Sequence, residues 1–282
     1  MLDAMSAEAL KLTRHKASWF LVWLYPLGIL LLFSIAIAGG LVSNDPPQQP
    51  RLEAWLRDTA IIWYAPSQTL GRYLIAAFVA VAFAGEYGWN TWKLIVPHRA
   101  RAQLIAAKYA VVFLLFLAAY TLGAMISVLG SWAEDLATGD AIPAGITAGG
   151  LLEVHGRAAL SALAPGLLTI AFASFAAILT RSTIAALVIA IVAITVEQLL
   201  FNFAPVLSVR APGLTWALHH ALPGYHLANI ESWVHQGIAL ENPLPRAGMV
   251  ALHWIASAGA AAAWVAGLAA LTVRAFSRQD LN

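Results

Sequence analysis

The four longest stretches of the chain without a single Asp, Glu, Lys or Arg are residues 17–44, 109–133, 158–180 and 247–273. About 20 apolar residues in a helix cross the hydrocarbon core of a bilayer. The four stretches therefore predict spans at about 18–41, 106–130, 158–180 and 248–273. Two further apolar stretches each carry one charge. Residues 66–85 contain Arg72, and 182–204 contain Glu197. Both are long enough to span. Arg72 lies about two turns from one end, where its long side chain is expected to snorkel to the headgroups. The expectation is an all-α membrane protein, a single transmembrane domain of six helices over residues 1–282.

The connections carry their own patterns. In residues 1–16, Leu2, Met5, Ala9 and Leu12 recur at helical spacing, with Asp3, Ser6, Glu8 and Lys11 expected largely on the other face. This predicts an amphipathic elbow helix on the membrane surface, with Lys11, Arg14 and Lys16 near anionic headgroups. The first outer loop, 43–65, begins with a proline-rich run that cannot be helical. The second, 131–156, is acidic and glycine-rich. Arg181 and Ser182 leave room only for a tight turn. Residues 205–246 are too apolar for a plain loop. One or two short helices broken at Pro223-Gly224 are expected there, at or dipping into the outer leaflet.

Composition fits this pattern. Apolar residues make up 61% of the 282 positions and charged residues 11%, against about 45–50% and 25% in a soluble domain. There is no cysteine, which excludes disulfides, a thiol nucleophile and thiolate metal sites. A net charge of +2 is small, and no nucleic-acid partner is expected. The first apolar run is too long for a cleavable signal peptide. Six spans put both termini on one side. With that side cytoplasmic, ten Lys/Arg lie inside and six outside, in the sense of the positive-inside rule. The expected place is the inner, cytoplasmic membrane.

The connection between spans two and three, 86–103, carries the functional argument. It mixes Glu86, Tyr87, Trp89, Thr91, Trp92, Lys93, Pro97, Arg99 and Arg101 with the apolar run Leu94-Ile95-Val96. A loop that only joined two helices would need neither tryptophan nor that run. The mixture predicts a short helix across the membrane face that docks into a groove on another protein, ended by Pro97. Arg99, Arg101 and Lys108 are expected to anchor span three at the headgroups.

Here the sequence resembles the ABC-2 family of transporter permeases. Glu86, Tyr87, Thr91, Leu94, Pro97, Arg99 and Lys108 stand at matching places, with Asn90 where glycine is usual. The start from Glu8 to Arg14 and the Leu222–Tyr225 element before the last span are similar too. The resemblance implies an export subunit that is not itself an enzyme. It implies two ABC ATPase copies as partners, coupled through 86–103, and a second permease subunit, as a homodimer. ATP and magnesium would bind on the ATPase. This chain has no phosphate-binding loop of the Gly-x-x-x-x-Gly-Lys-Ser/Thr kind, and no cofactor of its own is expected.

Within the spans, Glu197 is the residue that calls for a partner. A carboxylate at depth costs about 2.5–3.5 kcal/mol on insertion scales, so it faces protein or a water-filled pathway, with Gln198 and Asn202 beside it. The sequence leaves a substrate-pathway role and an interhelical polar contact both open. His219, His220, His226, His235 and His253 cluster late, but without metal-ligand spacing, and no metal is expected. A membrane-embedded enzyme would need several ionisable groups at one depth. A secondary transporter more often shows inverted repeats. Neither pattern is present. Gly39, Gly40, Gly123 and Gly267 are expected to let helices pack closely.

Overall fold

The apolar runs become six long helices in a computed structural model that describes residues 2–43, 49–88, 91–92 and 96–280. An amphipathic helix, α1 (Leu2–Arg14), leads directly into the first span, α2 (Lys16–Val42). A short helix α3 (Leu52–Thr59) and a 3₁₀ segment, Ile61–Ser67, precede the second span, α4 (Thr69–Gly88). The third and fourth spans are α5 (Arg101–Thr138) and α6 (Ala148–Thr180), and α7 (Thr183–Asn202) is the fifth. Three short helices follow: α8 (Ala204–Arg210), α9 (Pro212–Ala221) and α10 (Pro223–Gln236). A two-strand antiparallel hairpin, β1 (Asn242–Leu244) with β2 (Gly248–Val250), leads into the last span, α11 (Trp254–Ser277). Both ends of the chain lie at one face of the bundle, called here the terminal face; the opposite one is the far face.

Helices α4 and α6 form the centre. In each, 61% of the most apolar window is buried, against 22% in α2, α7 and α11. Burial of α4 follows from its small residues: Ala76, Ala80, Ala82 and Ala84 let neighbouring helices close in on Phe78, Val79 and Phe83. Aromatic rings fill the middle. Phe78 meets Phe116 edge-on at 5.3 Å between centroids, and Tyr25 meets Tyr120 at 5.0 Å. The Tyr25 hydroxyl donates to the Gly71 carbonyl at 2.7 Å.

Among the glycines described, Gly71 has the least room for a side chain. A β-carbon there would lie 1.8 Å from the Ala65 carbonyl oxygen. Backbone cannot yield as a flexible side chain would, so Gly71→Ala must lever α4 away from the 3₁₀ segment. The expected loss is about 1–3 kcal/mol, the usual cost of overpacking, read as a lower thermal midpoint in detergent. Of the four glycines expected to permit close packing, Gly40 and Gly123 do face neighbouring side chains. Gly39 and Gly267 face open space.

The structure departs from the sequence pattern mainly at the far face. Helix α5 has 38 residues and α6 has 33, about 57 and 50 Å at 1.5 Å per residue, well beyond a hydrocarbon core of about 30 Å. The expected loop 131–156 shrinks to residues 139–147. It is bounded by Gly139 at φ 81° and by Thr147, whose hydroxyl caps the Gly150 amide at 3.0 Å. The helices continue there because α3 and the 3₁₀ segment pack on them. The Trp55 indole donates to Asp135 at 2.9 Å, and His155 takes Thr59 and Trp63 at 3.2 Å each. The last span begins at 254 rather than 248, because the small hairpin takes up the residues before it.

Candidate functional site

Two buried charge clusters sit at opposite ends of α4. At the terminal face, the Lys108 ammonium meets Glu8 at 2.6 Å, Glu86 at 2.6 Å and the Ala82 carbonyl at 2.9 Å. Three donors find three acceptors, so the ammonium is fully satisfied out of water. Lys11 bonds Glu8 at 2.7 Å and also bonds Glu86, which accepts the Thr91 hydroxyl as well. Two carboxylates and two ammoniums thus tie α1, α4, α5 and residue 91 into one neutral knot. Glu86 is fully buried and Lys108 is 1% exposed. Burial would raise the Glu8 carboxyl, but Lys108 and Lys11 outweigh it and hold Glu8 below its ordinary range. Burial and the nearby Lys108 push Lys11 down to about 7, against the pull of Glu8.

This corrects three expectations. Glu8 does not ride the polar face of α1: it lies four residues before Leu12, hence on the same side of the helix, and both are buried. Lys108 does not reach for headgroups, because two carboxylates claim it inside the bundle. Glu86 and Tyr87 belong to the last turn of α4, not to a separate helix.

The remaining residues of the connection divide. Trp92 is buried, 4.4 Å from the Phe276 ring, with the Lys108 ammonium 5.2 Å above its own ring. It holds the end of α11 and offers no surface. The Tyr87 hydroxyl donates to Gln279 at 2.5 Å. Arg101 also stays inside the fold, donating to the carbonyls of Phe276, Ser277 and Gln279 at 2.8, 3.2 and 2.6 Å. A cation among those last carbonyls complements the end of the helix. Pro97 lies within a single 3₁₀ turn, Val96–His98, and Pro97, His98 and Arg99 are exposed. Arg99 pairs with Asp3 at 3.1 Å, in solvent. Between α1 and this turn lies a cleft of about 350 Å³, lined by Asp3, Lys11, Glu86, Thr91, His98 and Arg99. Trp89 and Lys93, expected in the same segment, lie outside the described residues.

The second cluster is near the far face. Both terminal nitrogens of Arg72 grip the Glu197 carboxylate, at 3.1 and 2.8 Å, and its Nε donates to the Thr169 hydroxyl at 2.9 Å. The planar guanidinium fork suits this two-point contact. Arg72 is 2% exposed and Glu197 5%. Arg72 therefore does not snorkel. Its partner comes from α7, and pairing inside protein replaces the trip to the headgroups. Gln198 accepts the Thr69 hydroxyl at 2.8 Å, and Tyr73 and Thr195 share a hydrogen bond at 2.5 Å. Asn202 is exposed at the end of α7 and stays outside the cluster. It is five residues past Glu197, about 140° around the helix.

The histidines hold the short elements together. His226 bonds the Ser257 hydroxyl at 3.2 Å and the His220 carbonyl at 2.8 Å. His219 bonds Asn242 at 3.2 Å and stacks on Phe201. His235 contacts Ser161 at 3.3 Å, and His253 caps α11 at the Ile255 amide. Among the described residues, no three His, Cys, Asp or Glu side chains come together as a metal site. Burial, then His220 and His226, push His219 down to about 4. The unfolded segment takes up a proton near 6.5, where the folded one does not. Stability is therefore full above about 6.5 and falls as pH drops toward 4. Limited proteolysis of residues 212–253 is expected to speed up over that window, and His219→Phe to flatten the dependence.

An apolar groove of about 770 Å³ runs between α6, α10 and α11, lined by Leu163, Leu167, Trp233, Trp254, Ala262 and Ala266 among others.

Both charge clusters fall within residues 4–197, and that stretch matches the sequence pattern of the ABC-2 family transporter proteins. The chain belongs to the ABC-2 family. Curated proteins and solved structures gave no match. An ABC-2 chain is a transport membrane subunit rather than a catalytic one, and membership implies association with an ABC ATPase. This ABC-2 protein is multi-pass: among the described residues, six helices are long and apolar enough to cross a membrane. Sequence reasoning found the matched segment but missed the knot at Lys108. Part of the signal was available: Glu86 and Lys108 border the apolar runs 66–85 and 109–133, and Glu8 lies one helical turn before Leu12 on the same side of α1.

Proposed function

We propose that this chain is the permease subunit of an ABC exporter, driven by two copies of a separate ATPase that bind ATP and magnesium, and paired with a second permease copy. The terminal face is cytoplasmic, in the inner membrane. The observation that carries the reading is the buried Glu8–Lys11–Glu86–Lys108 knot beneath the exposed turn 96–99. A partner that pushes on that turn moves α1, α4 and α5 as one body, because separating them would strand buried charge. An ATP-driven displacement then becomes rigid-body motion of the spans. The docking surface is Pro97, His98 and Arg99 with the cleft beside them. For the cargo, support comes from the wide apolar groove with tryptophans at its rim. It suits an amphiphilic, lipidic or peptide molecule better than a small ion.

Affinity purification of the tagged chain from its native membranes in mild detergent tests the assignment. A near-stoichiometric ATPase with a phosphate-binding loop is expected; a homogeneous chain recovered without one would refute it. In that complex, Arg99→Glu is expected to weaken ATPase association at least tenfold while leaving the thermal midpoint unchanged, since an exposed pair contributes under about 1 kcal/mol. Normal association would move the docking surface elsewhere. Arg101→Glu is a poor probe, because it would also release the end of α11.

A further inference from the structure

Helix α4 carries a buried charge near each end, Arg72 and Glu86, and from Ile75 to Ala84 its buried side chains are all apolar. Arg72 and Glu86 are 14 residues apart, about 21 Å along the axis. Between them the buried side chains are Ile75, Ala76, Phe78, Val79, Ala80, Ala82, Phe83 and Ala84. At the far end three side-chain contacts within about one turn join α4 to α7: Thr69 to Gln198, Arg72 to Glu197 and Tyr73 to Thr195. At the terminal end the Lys108 and Lys11 ammoniums hold Glu86. Buried ion pairs do not part without stranding charge, so the contacts of α4 that most resist parting are those at its two ends.

The far pin also reaches the short helices. A β-carbon on Gly224, at the start of α10, would lie 2.9 Å from Phe201 and 3.2 Å from the Glu197 carbonyl. No side chain fits there, so α10 rests directly on the turn of α7 that Arg72 grips. Movement of Glu197 is thus passed to α10, one wall of the apolar groove.

We propose that α4 is the transmission rod of this transporter, and that Arg72 and Glu197 are positioning residues that convert displacement of the 86–99 connection into movement of α7 and α10 at the far face. The proposal rests on the ATP-driven reading above. Its specific content is that α4 and α7 stay joined through the cycle. The far face opens by moving this pair relative to α11, and never by parting the pair.

The natural absence of cysteine makes the test direct. Spin labels are placed through Leu70→Cys with Leu199→Cys, both exposed positions next to the pin, and through Leu70→Cys with Ile255→Cys, across to the exposed start of α11. The purified complex with its ATPase, in lipid nanodiscs, is compared without nucleotide and trapped with Mg-ATP and vanadate. The 70–199 separation is expected to stay the same. The 70–255 separation is expected to change by at least about 2 Å, the upper scale of helix shifts at switching interfaces. In Arg72→Met/Glu197→Leu, which removes both charges, the 70–255 change is expected to fall by half or more while ATP hydrolysis continues. A 70–199 pair that widens on trapping overturns the proposal. So does a 70–255 pair that never moves, or one that moves fully in the double variant. If no ATPase accompanies the chain, the underlying reading fails first and the rod falls with it. If the ATPase is present and the distances disagree, only the rod fails.

Discussion

Glu197→Leu is expected to destabilise the protein by about 3–5 kcal/mol, the usual cost of leaving one partner of a buried pair alone. Arg72 would then lie 2% exposed with only the Thr169 hydroxyl to meet it. A guanidinium keeps its charge at any accessible pH. The reverse variant, Arg72→Leu, is expected to cost less, because an orphaned carboxyl can take up a proton and stay buried as a neutral group. Removing both charges, in Arg72→Met/Glu197→Leu, is expected to return stability to within about 1–2 kcal/mol of the native protein or above it. The order of the three variants in thermal midpoint, followed by size exclusion in detergent, is the measurement. Thr169→Val gives the scale of an ordinary interhelical hydrogen bond, about 0.6 kcal/mol on average inside membrane proteins. A Glu197→Leu loss no larger than that of Thr169→Val would mean that water reaches the pair and that it is not a buried ion pair at all.

Lys108→Met is the second large effect. It leaves Glu8 and Glu86 buried with Lys11 alone between them, an excess of one negative charge, and frees three hydrogen-bond acceptors. The cheapest escape is for α1 to lift off, which returns Glu8 and Lys11 to water. Amide exchange along α1 is expected to speed up at least about a hundredfold, since each 1.4 kcal/mol is a factor of ten, while α6 keeps its protection. Glu8→Gln combined with Lys108→Met leaves the neutral Lys11–Glu86 pair and is expected to recover most of the lost protection. Unchanged exchange in Lys108→Met would show that the apolar seat of Leu12, rather than the knot, fixes α1.

The six spans were legible because lipid imposes its length on apolar runs, and a run without charge reads the same in sequence and in structure. The same logic misplaced what lies beyond the bilayer. Residues 131–138 and 148–157 carry Glu134, Asp135, Glu153 and Arg157, so counting charge ended the spans early. The backbone continued as helix because Trp55, Thr59 and Trp63 gave the projecting turns something to pack on. The break at Pro223-Gly224 was readable from the backbone limits of those two residues. The hairpin at 242–250 was not, since strands of three residues carry too little periodicity. For the site, Glu197 announced itself as an unpaired charge in an apolar run. Arg72 was equally visible, but it stood near enough to an end for an easy exit to headgroups. Pairing the two needed the contact between α4 and α7, 125 positions apart, which no local pattern contains. The tryptophans of the 86–103 connection were read as a docking surface. Trp92 instead turned inward onto Phe276, because a large amphipathic ring next to a helix end serves either purpose and only tertiary packing decides.

The Arg72–Glu197 pair also bears on how the chain is made. During synthesis α4 leaves the ribosome well before α7. At about 5–20 residues per second, the 125 positions between the partners take about 6–25 seconds to appear. Throughout that interval Arg72 has no carboxylate, and α4 is the least hydropathic of the six spans. The second span therefore enters the membrane as its weakest passenger. Its buried guanidinium can meet the Glu197 carboxylate only once α7 has been made.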